Sequence, residues 1–420
     1  MTQFSKVLVV GLGYIGLPTA AIFAAHKVHV VGFDVSRHVV ETVNRGEIHI
    51  VEPALDVAVK NAVNEGFLRA KLEPETADAY LITVPTPFKG SNHEPDLDYV
   101  ESASRAIARV LKKGDLVVLE STSPVGATQQ MAEWLAEVRP DLTFPHQKGE
   151  DSDIRVAHCP ERVLPGQVMR ELIDNNRIIG GMTPGCSAAA ASLYKIFLKG
   201  ECAVTDARTA ELVKLTENSF RDVNIAFANE LSLICEKLGV NVWELISLAN
   251  LHPRVNILQP GPGVGGHCIA VDPWFIVSSA PEEAKLIRKS REVNDAKPAW
   301  VIEKVREALG SFLVRNPHIT AADVTIACYG LTFKPNIDDM RESPALAITS
   351  KLAELFPGNV IAVEPHVASE TREYRNLRLT SAEAALRTAD IHVVLVKHSA
   401  FMNLDFPINQ TIDVVGLLPH

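Results

Sequence analysis

Four glycines, a histidine and a thiol stand together in "GPGVGGHCIAVDP", residues 261–273, with Asp272 at the fourth position past Cys268. A thiol acts as a nucleophile only where a ligand can reach it, and glycines at 261, 263, 265 and 266 let main chain and thiol approach one. Core cysteines belong instead to regular apolar segments, a description that suits Cys235 and Cys328. Asp272 can orient a water or a lysine, or serve as the turn residue before Pro273. His267 reads as a hydrogen-bonder of the loop, because no partner stands at metal-ligand spacing and no metal is expected. Upstream, "KLTEN" sets Lys214 and Asn218 four apart, hence on one helix face. That spacing fits a solvated face as well as a site, and it gains meaning only if other groups converge there. Thr122 in "ESTSPVG" and Glu161 in "CPERVLPG" follow runs that read as strands, and the carboxyl ends of parallel strands are where α/β sheets hold ligands. Taken singly they also fit an N-capping threonine and a surface glutamate.

A separate constellation opens the chain. Gly11, Gly13 and Gly16 form G-x-G-x-x-G after the apolar run "KVLVV" and before an Ala-rich helical stretch, the context that a dinucleotide fingerprint requires. Glycines let the backbone turn and approach a pyrophosphate, and the helix start supplies free N–H donors. Asp34 ends the next apolar run, "VHVVGFD", where a carboxylate accepts from ribose hydroxyls and repels a 2'-phosphate. The expected cofactor is NAD rather than NADP. Near the other end, "YGLTFKPNIDDMRESPA" carries one glycine after its strand, so it is no second fingerprint; Lys334 and Arg341 flank the turn and suit a phosphate.

These residues need elements to position them. Apolar runs from residue 6 to 200, ending with "RIIGG", alternate with helical stretches and read as buried parallel strands. Ala207 to Leu238 contains no Gly or Pro, which predicts a helix of up to ~48 Å able to bridge two domains. A second charged helix is expected at about 282–312. "VTIACYG", "NVIAVEP", "IHVVLV" and "TIDVVG" then predict a smaller parallel sheet. The expected fold class is α/β, with an N-terminal Rossmann-type domain (1–200), a central long-helix domain (201–312) and a C-terminal Rossmann-like domain (313–420).

The bulk properties agree with an ordinary globular chain. It has 420 residues, 47% hydrophobic and 22% charged, too many for one core and too apolar for disorder. A net charge of -10 without a long basic run argues against nucleic-acid or anionic-membrane partners. Six cysteines without C-x-x-C spacing, and an N-terminus without a leader pattern, suggest a reducing, cytoplasmic setting.

With these residues in view, the chain resembles the UDP-glucose/GDP-mannose dehydrogenase family over nearly its full length. "GEIHIVEP", "PTPFKGSNHEPDLDYVESA", "NSFRDVNIAFANELSLICE" and the Cys268 loop look like the branch that acts on UDP-N-acetyl-D-mannosamine; the UDP-glucose branch typically carries a phenylalanine-glycine-glycine-serine-cysteine loop, where this chain has "VGGHC". The resemblance implies that Cys268 is a nucleophile, with Lys214 and Asn218 around the reacting oxygen and Asp272 beside them. It makes Glu161 a general base and Thr122 a water- or cofactor-contacting residue. It adds Tyr14, Ile15, Thr86 and Arg341 to the cofactor contacts, and Arg162, Gly265, Gly266, His267 and Lys334 to those of a UDP-N-acetyl-sugar. Arg254 matches an arginine that reaches the neighbouring subunit's site, which implies a homodimer. The implied reaction is a four-electron oxidation at the sugar C6 with two NAD, serving bacterial surface polysaccharide such as enterobacterial common antigen. Family members usually carry a basic residue shortly after the last strand's aspartate, whereas "VVGLLPH" follows Asp413. Alternatives are a UDP-N-acetylglucosamine or UDP-glucose dehydrogenase, a single-step 3-hydroxyacid-type dehydrogenase, or an NAD-sensing module without turnover.

Overall fold

The computed structural model describes residues 4–90, 93–164, 166–266, 268–367 and 377–418. They fall into two compact units, divided between Glu217 and Asn218.

The first unit is built on eight strands: β1 Lys6–Val10, β2 His29–Phe33, β3 Leu68–Lys71, β4 Ala79–Ile82, β5 Leu116–Leu119, β6 Arg155–His158, β7 Arg177–Gly181 and β8 Cys202–Asp206. Their order across the sheet is β8-β7-β6-β5-β4-β1-β2-β3. β1 shows why such runs are apolar throughout. Val7 and Val9 enter one core while Leu8 and Val10 enter the other, so each strand is buried on both faces. The strand order reverses between β1 and β4, the switch point where doubly wound sheets bind dinucleotides. The Ala-rich helix α1, Gly16–Ala25, follows β1 and is buried over nearly its whole length.

One expectation about this sheet fails. "RIIGG" is a strand, but β7 runs antiparallel to β6, with Ala157 opposite Gly181 and His158 opposite Gly180. An apolar run buried on both faces reads alike in either direction; the connection decides. After β6 the chain makes only the seven-residue helix α2, Val168–Asp174, and enters β7 at the edge where it left β6. β8 then pairs parallel to β7.

Helix α3, Ala207–Leu238, has the predicted bounds and continues across the boundary of the two units. In the second unit come α4 Val242–Ala249, α5 Asp272–Ser279 and α6 Lys285–Arg315. α6 runs through Pro298 and both starts and ends a little later than the predicted stretch. Its later turns bury Val301, Val305, Leu309 and Phe312 at helical spacing against a second sheet. That sheet comprises β9 Ile326–Tyr329, β10 Val360–Val363, β11 Arg378–Leu379, β12 Ile391–Val394 and β13 Thr411–Asp413, in the order β11-β10-β9-β12-β13, with all pairs parallel. No helix of the described residues is long and apolar enough to cross a membrane.

Candidate active site

At the switch point of the first sheet the three fingerprint glycines have different reasons to be glycine. Gly11 takes φ +87°, a region that penalises any Cβ. A Cβ on Gly16 would stand 1.8 Å from the Gly11 carbonyl oxygen and 2.5 Å from Thr83 Oγ1, so only glycine lets α1 start this close to β1. A Cβ on Gly13 meets no protein atom within 4 Å, so the main chain there is open to the approach of a pyrophosphate. Tyr14 is exposed and Ile15 half-buried beside it. Asp34 closes the site from β2: Leu12 N–H donates to its Oδ2 at 2.9 Å and Ser36 N–H to its Oδ1 at 2.8 Å. These donors orient the carboxylate, and its remaining lone pairs suit two ribose hydroxyls. The glycine cradle and the oriented acid therefore fit a dinucleotide. Asp34→Asn is expected to lower the preference for NAD over NADP at least about fivefold, since two unit charges ~4 Å apart repel by about 1–4 kcal/mol at the protein surface. Titration with both cofactors checks this, and an unchanged preference would remove Asp34 from that role.

Beyond β4 and β5, Thr86 Oγ1 donates to the Thr122 carbonyl oxygen at 2.5 Å, so the structure brings these two predicted residues together. Glu161 follows β6. Its Oε1 accepts from Arg162 N–H and its Oε2 from the Arg177 guanidinium, each at 2.6 Å. Arg162 in turn donates to Glu217 and to the Asn176 carbonyl, each at 2.6 Å. Arg162 and Glu161 share a small cleft with Pro160, Glu171, Asn175 and Arg177. Lys214 is buried in the first turns of α3. Glu211, one turn earlier, accepts from Gly126 N–H and Thr128 N–H, which ties α3 to the loop that carries Thr122; burial holds its carboxyl above the usual range.

In the second unit Asn218 Nδ2 donates to Asp272 Oδ2. Asp272 is buried, opens α5 and is followed by Pro273 at a position where helices tolerate proline. Cys268 is exposed, and its carbonyl oxygen accepts from Val271 and Asp272 N–H at 3.0 and 2.8 Å, which fixes the thiol one turn before α5. His267 lies outside the described residues. The loop glycines need a different account from the expected one. A Cβ on Gly265 would stand 2.5 Å from the Glu342 carbonyl oxygen, and one on Gly266, at φ +82°, 2.9 Å from Phe333. Gly266 N–H also donates to the Arg341 carbonyl at 3.1 Å. Close packing against residues 333–342 explains both glycines without a ligand. Behind the loop, Gly261 N–H donates to Asn229, Asn229 to Asn294 and Asn294 to Asp222, whose carboxylate also takes Arg291 at 2.7 Å. Sequence reasoning passed over these buried residues of α3 and α6, since each looks like an ordinary helix-surface residue until the helices pair.

Lys334 is exposed at the turn after β9, and its carbonyl accepts from Thr332 Oγ1 at 3.0 Å. Arg341 forks onto Asp339, with Nε 2.9 Å from Oδ1 and Nη2 2.6 Å from Oδ2. Arg254 is exposed. Asp413 accepts from Val415 and Leu418 N–H, and Lys397 donates to the Gly416 carbonyl, so the atypical segment is pinned and has a basic side chain beside it. Glu364, at the end of β10, mirrors Asp34 by accepting from Leu331 N–H at 2.7 Å. No cluster of three or more His, Cys, Asp or Glu placed for a metal occurs among the described residues.

Three family models cover this architecture in order. Residues 5–198 match the NAD binding domain of the UDP-glucose/GDP-mannose dehydrogenase family, 208–296 its central domain and 327–414 its UDP binding domain. The chain belongs to that family. It is thereby an NAD-dependent dehydrogenase of UDP-sugars. The chain is 64% identical over 400 residues to the UDP-N-acetyl-D-mannosamine dehydrogenase of Escherichia coli K12, with 95% of each chain covered. It is 63% identical over 403 residues to the NDP-N-acetyl-D-galactosaminuronic acid dehydrogenase of Ralstonia nicotianae, covering 96% of this chain and 93% of that one. Among solved structures, the UDP-D-ManNAc dehydrogenase of Pyrococcus horikoshii superimposes with TM-score 0.88 at 38% identity, covering 99% and 96% of the two chains. Family membership gives the exposed thiol a context that composition alone could not.

Proposed function

We propose that the protein oxidises UDP-N-acetyl-D-mannosamine at C6 to the uronate with two NAD, in the cytoplasm. The observation that carries this reading is the 64% identity over nearly the whole chain to an enzyme named for that substrate. The residue roles follow from the chemistry. Lys214 and Asn218 stabilise the C6 oxygen as the first hydride leaves for NAD. An aldehyde has no second hydride to give readily until a nucleophile adds, and the Cys268 thiolate makes a thiohemiacetal whose hydride passes to a second NAD. Water then releases the uronate from the thioester. Glu161 is the better base for that water, because Asp272 is buried and engaged by Asn218, a pairing that suits it to orienting the amide. Lys334, Arg162 and Arg341 are the proposed charged contacts to the two nucleotides. The three segments 1–200, 201–312 and 313–420 serve NAD binding, catalysis with dimerisation, and UDP-sugar binding.

Turnover of UDP-N-acetyl-D-mannosamine, UDP-N-acetyl-D-galactosamine, UDP-N-acetylglucosamine and UDP-glucose tests the substrate. The expected result is a clear preference for the first with two NADH per sugar. A preference for the galactosamine compound would favour a second reading, which the 63% identity to the Ralstonia enzyme supports.

A homodimer is the proposed assembly. Phe220, Phe227 and Ile234 recur at seven-residue intervals on α3 and are 71%, 53% and 44% exposed, an apolar stripe that suits a second copy. Burying one such side chain contributes about 1.5–3 kcal/mol. Phe227→Glu is therefore expected to shift the protein toward monomer in light scattering at micromolar concentration. A wild-type protein already monomeric there would sink the proposal, together with the role of Arg254 in a neighbouring site.

A further inference from the structure

Arg177 has no part in the reaction as written, yet its side chain is only 5% exposed and lies among Glu161, Glu120, Tyr194 and Cys159. Nη2 donates to Glu161 Oε2 at 2.6 Å and Nη1 to Glu120 Oε1 at 3.0 Å. The Tyr194 ring lies 4.3 Å from the guanidinium, and its hydroxyl donates to the same Glu120 oxygen at 2.5 Å. Cys159 Sγ completes the surround at 3.8 Å from Nη1. Burial holds the Glu120 carboxyl above the usual range despite the guanidinium, and its Oε2 is buried without a hydrogen-bond partner. For Arg177 burial works against the charge, but Glu161, Cys159 and Glu120 together raise its pKa further above its ordinary value.

A buried ionic cluster is a poor way to add stability, since apolar residues of similar volume commonly do as well or better. Its distinctive product is direction. A planar guanidinium bridging two carboxylates admits essentially one orientation of each, which a lysine cannot impose. Glu161 is then held at both oxygens, by Arg177 on one and by Arg162 N–H on the other, with lone pairs left to accept from a water. The antiparallel direction of β7 is what makes this possible. Carried past His158 opposite Gly180, its register sets Arg177 level with Glu161; in a parallel strand Arg177 would begin at the far edge of the sheet.

We propose that Arg177, locked by Glu120 and Tyr194, is a positioning residue that aims the Glu161 carboxylate at the water which hydrolyses the Cys268 thioester. In that step the water oxygen bonds to the acyl carbon and Glu161 takes one water proton. The C–S bond then breaks with its electron pair on Sγ, and the released acid loses its own proton to solvent. The inference rests on the role of Glu161 given under the proposed function, and the test separates the two.

Purified full-length Glu161→Gln, Arg177→Gln and Arg177→Lys would be mixed with UDP-N-acetyl-D-mannosamine and excess NAD, then acid-quenched for intact mass while NADH is followed. For all three, the expected result is a burst of two NADH per active site, a steady state slower by about 10²-fold, the usual scale for a general base, and a mass gain equal to the acyl group. A merely structural defect would slow the burst itself and leave no acyl-enzyme. If Glu161→Gln accumulates acyl-enzyme and both Arg177 variants partition like wild type, the positioning role is overturned while the base remains. If Glu161→Gln accumulates none, the reading of Glu161 fails first. Should Arg177→Gln not fold, Arg177→Lys decides alone, because it keeps the buried charge without the bridging fork.

Discussion

Cys268→Ser is expected to bind NAD and the nucleotide sugar with little change and to lose roughly 10³-fold or more in turnover, the scale seen when a catalytic nucleophile is removed. The thiol is exposed and its main chain is held at the start of α5, so replacing sulfur with oxygen leaves these main-chain hydrogen bonds intact. What changes is chemistry. A serine hydroxyl is a far weaker nucleophile at neutral pH than a thiol with its fraction of thiolate. The intermediate that presents the second hydride should therefore not form at a useful rate. Counting NADH and uronate per sugar in a single turnover checks this against the two NADH expected of the wild type. Uronate formed at the wild-type rate would remove the thioester from the mechanism.

Gly16→Ala is expected to abolish NAD binding and to lower stability by about 1–3 kcal/mol, the cost typical of forcing an extra methyl into a packed site. The added Cβ would fall 1.8 Å from the Gly11 carbonyl oxygen, which is backbone and cannot swing aside. Relief requires α1 to withdraw from β1, and its N-terminal N–H groups then no longer face the pyrophosphate. Gly13→Ala separates the effects, since its Cβ meets no protein atom within 4 Å: stability should hold while NAD affinity falls. Thermal unfolding with and without NAD measures both. A Gly16→Ala protein that binds NAD normally would contradict the proposed close approach of helix and strand.

Much of this was legible in the residue order because it depends on neighbours in the chain. The fingerprint at Gly11, Gly13 and Gly16, the acid ending β2 and the unbroken helix from Ala207 to Leu238 are local patterns, and the structure places each where it was expected. The long matches to a known family are local in the same sense. Lys214, Asn218, Glu161 and Thr122 could be singled out by residue type and by position after a strand or along a helix face.

Other features depended on partners far away in the chain. The glycines before Cys268 were read as an opening for a ligand, but Gly265 and Gly266 are small because Phe333 and Glu342 press on them. Nothing in the residue order marks Asn229 and Asn294, which α3 and α6 pair in a hydrogen-bond ladder that also takes in Gly261. Glu52 is another case: the structure uses it to hold Gly166 and Val168 N–H at the start of α2.

By itself the sequence determined the two α/β sheets, the dinucleotide fingerprint and the family, and it singled out Cys268 as the candidate nucleophile, since periodicity and motif spacing are properties of short stretches. Only the tertiary structure decided the direction of β7, and with it the meeting of Arg177 with Glu120 and Glu161. The reason is physical: a strand buried on both faces has the same apolar pattern in either direction, while its hydrogen-bond register and the edge at which it is entered are set by packing against the rest of the chain.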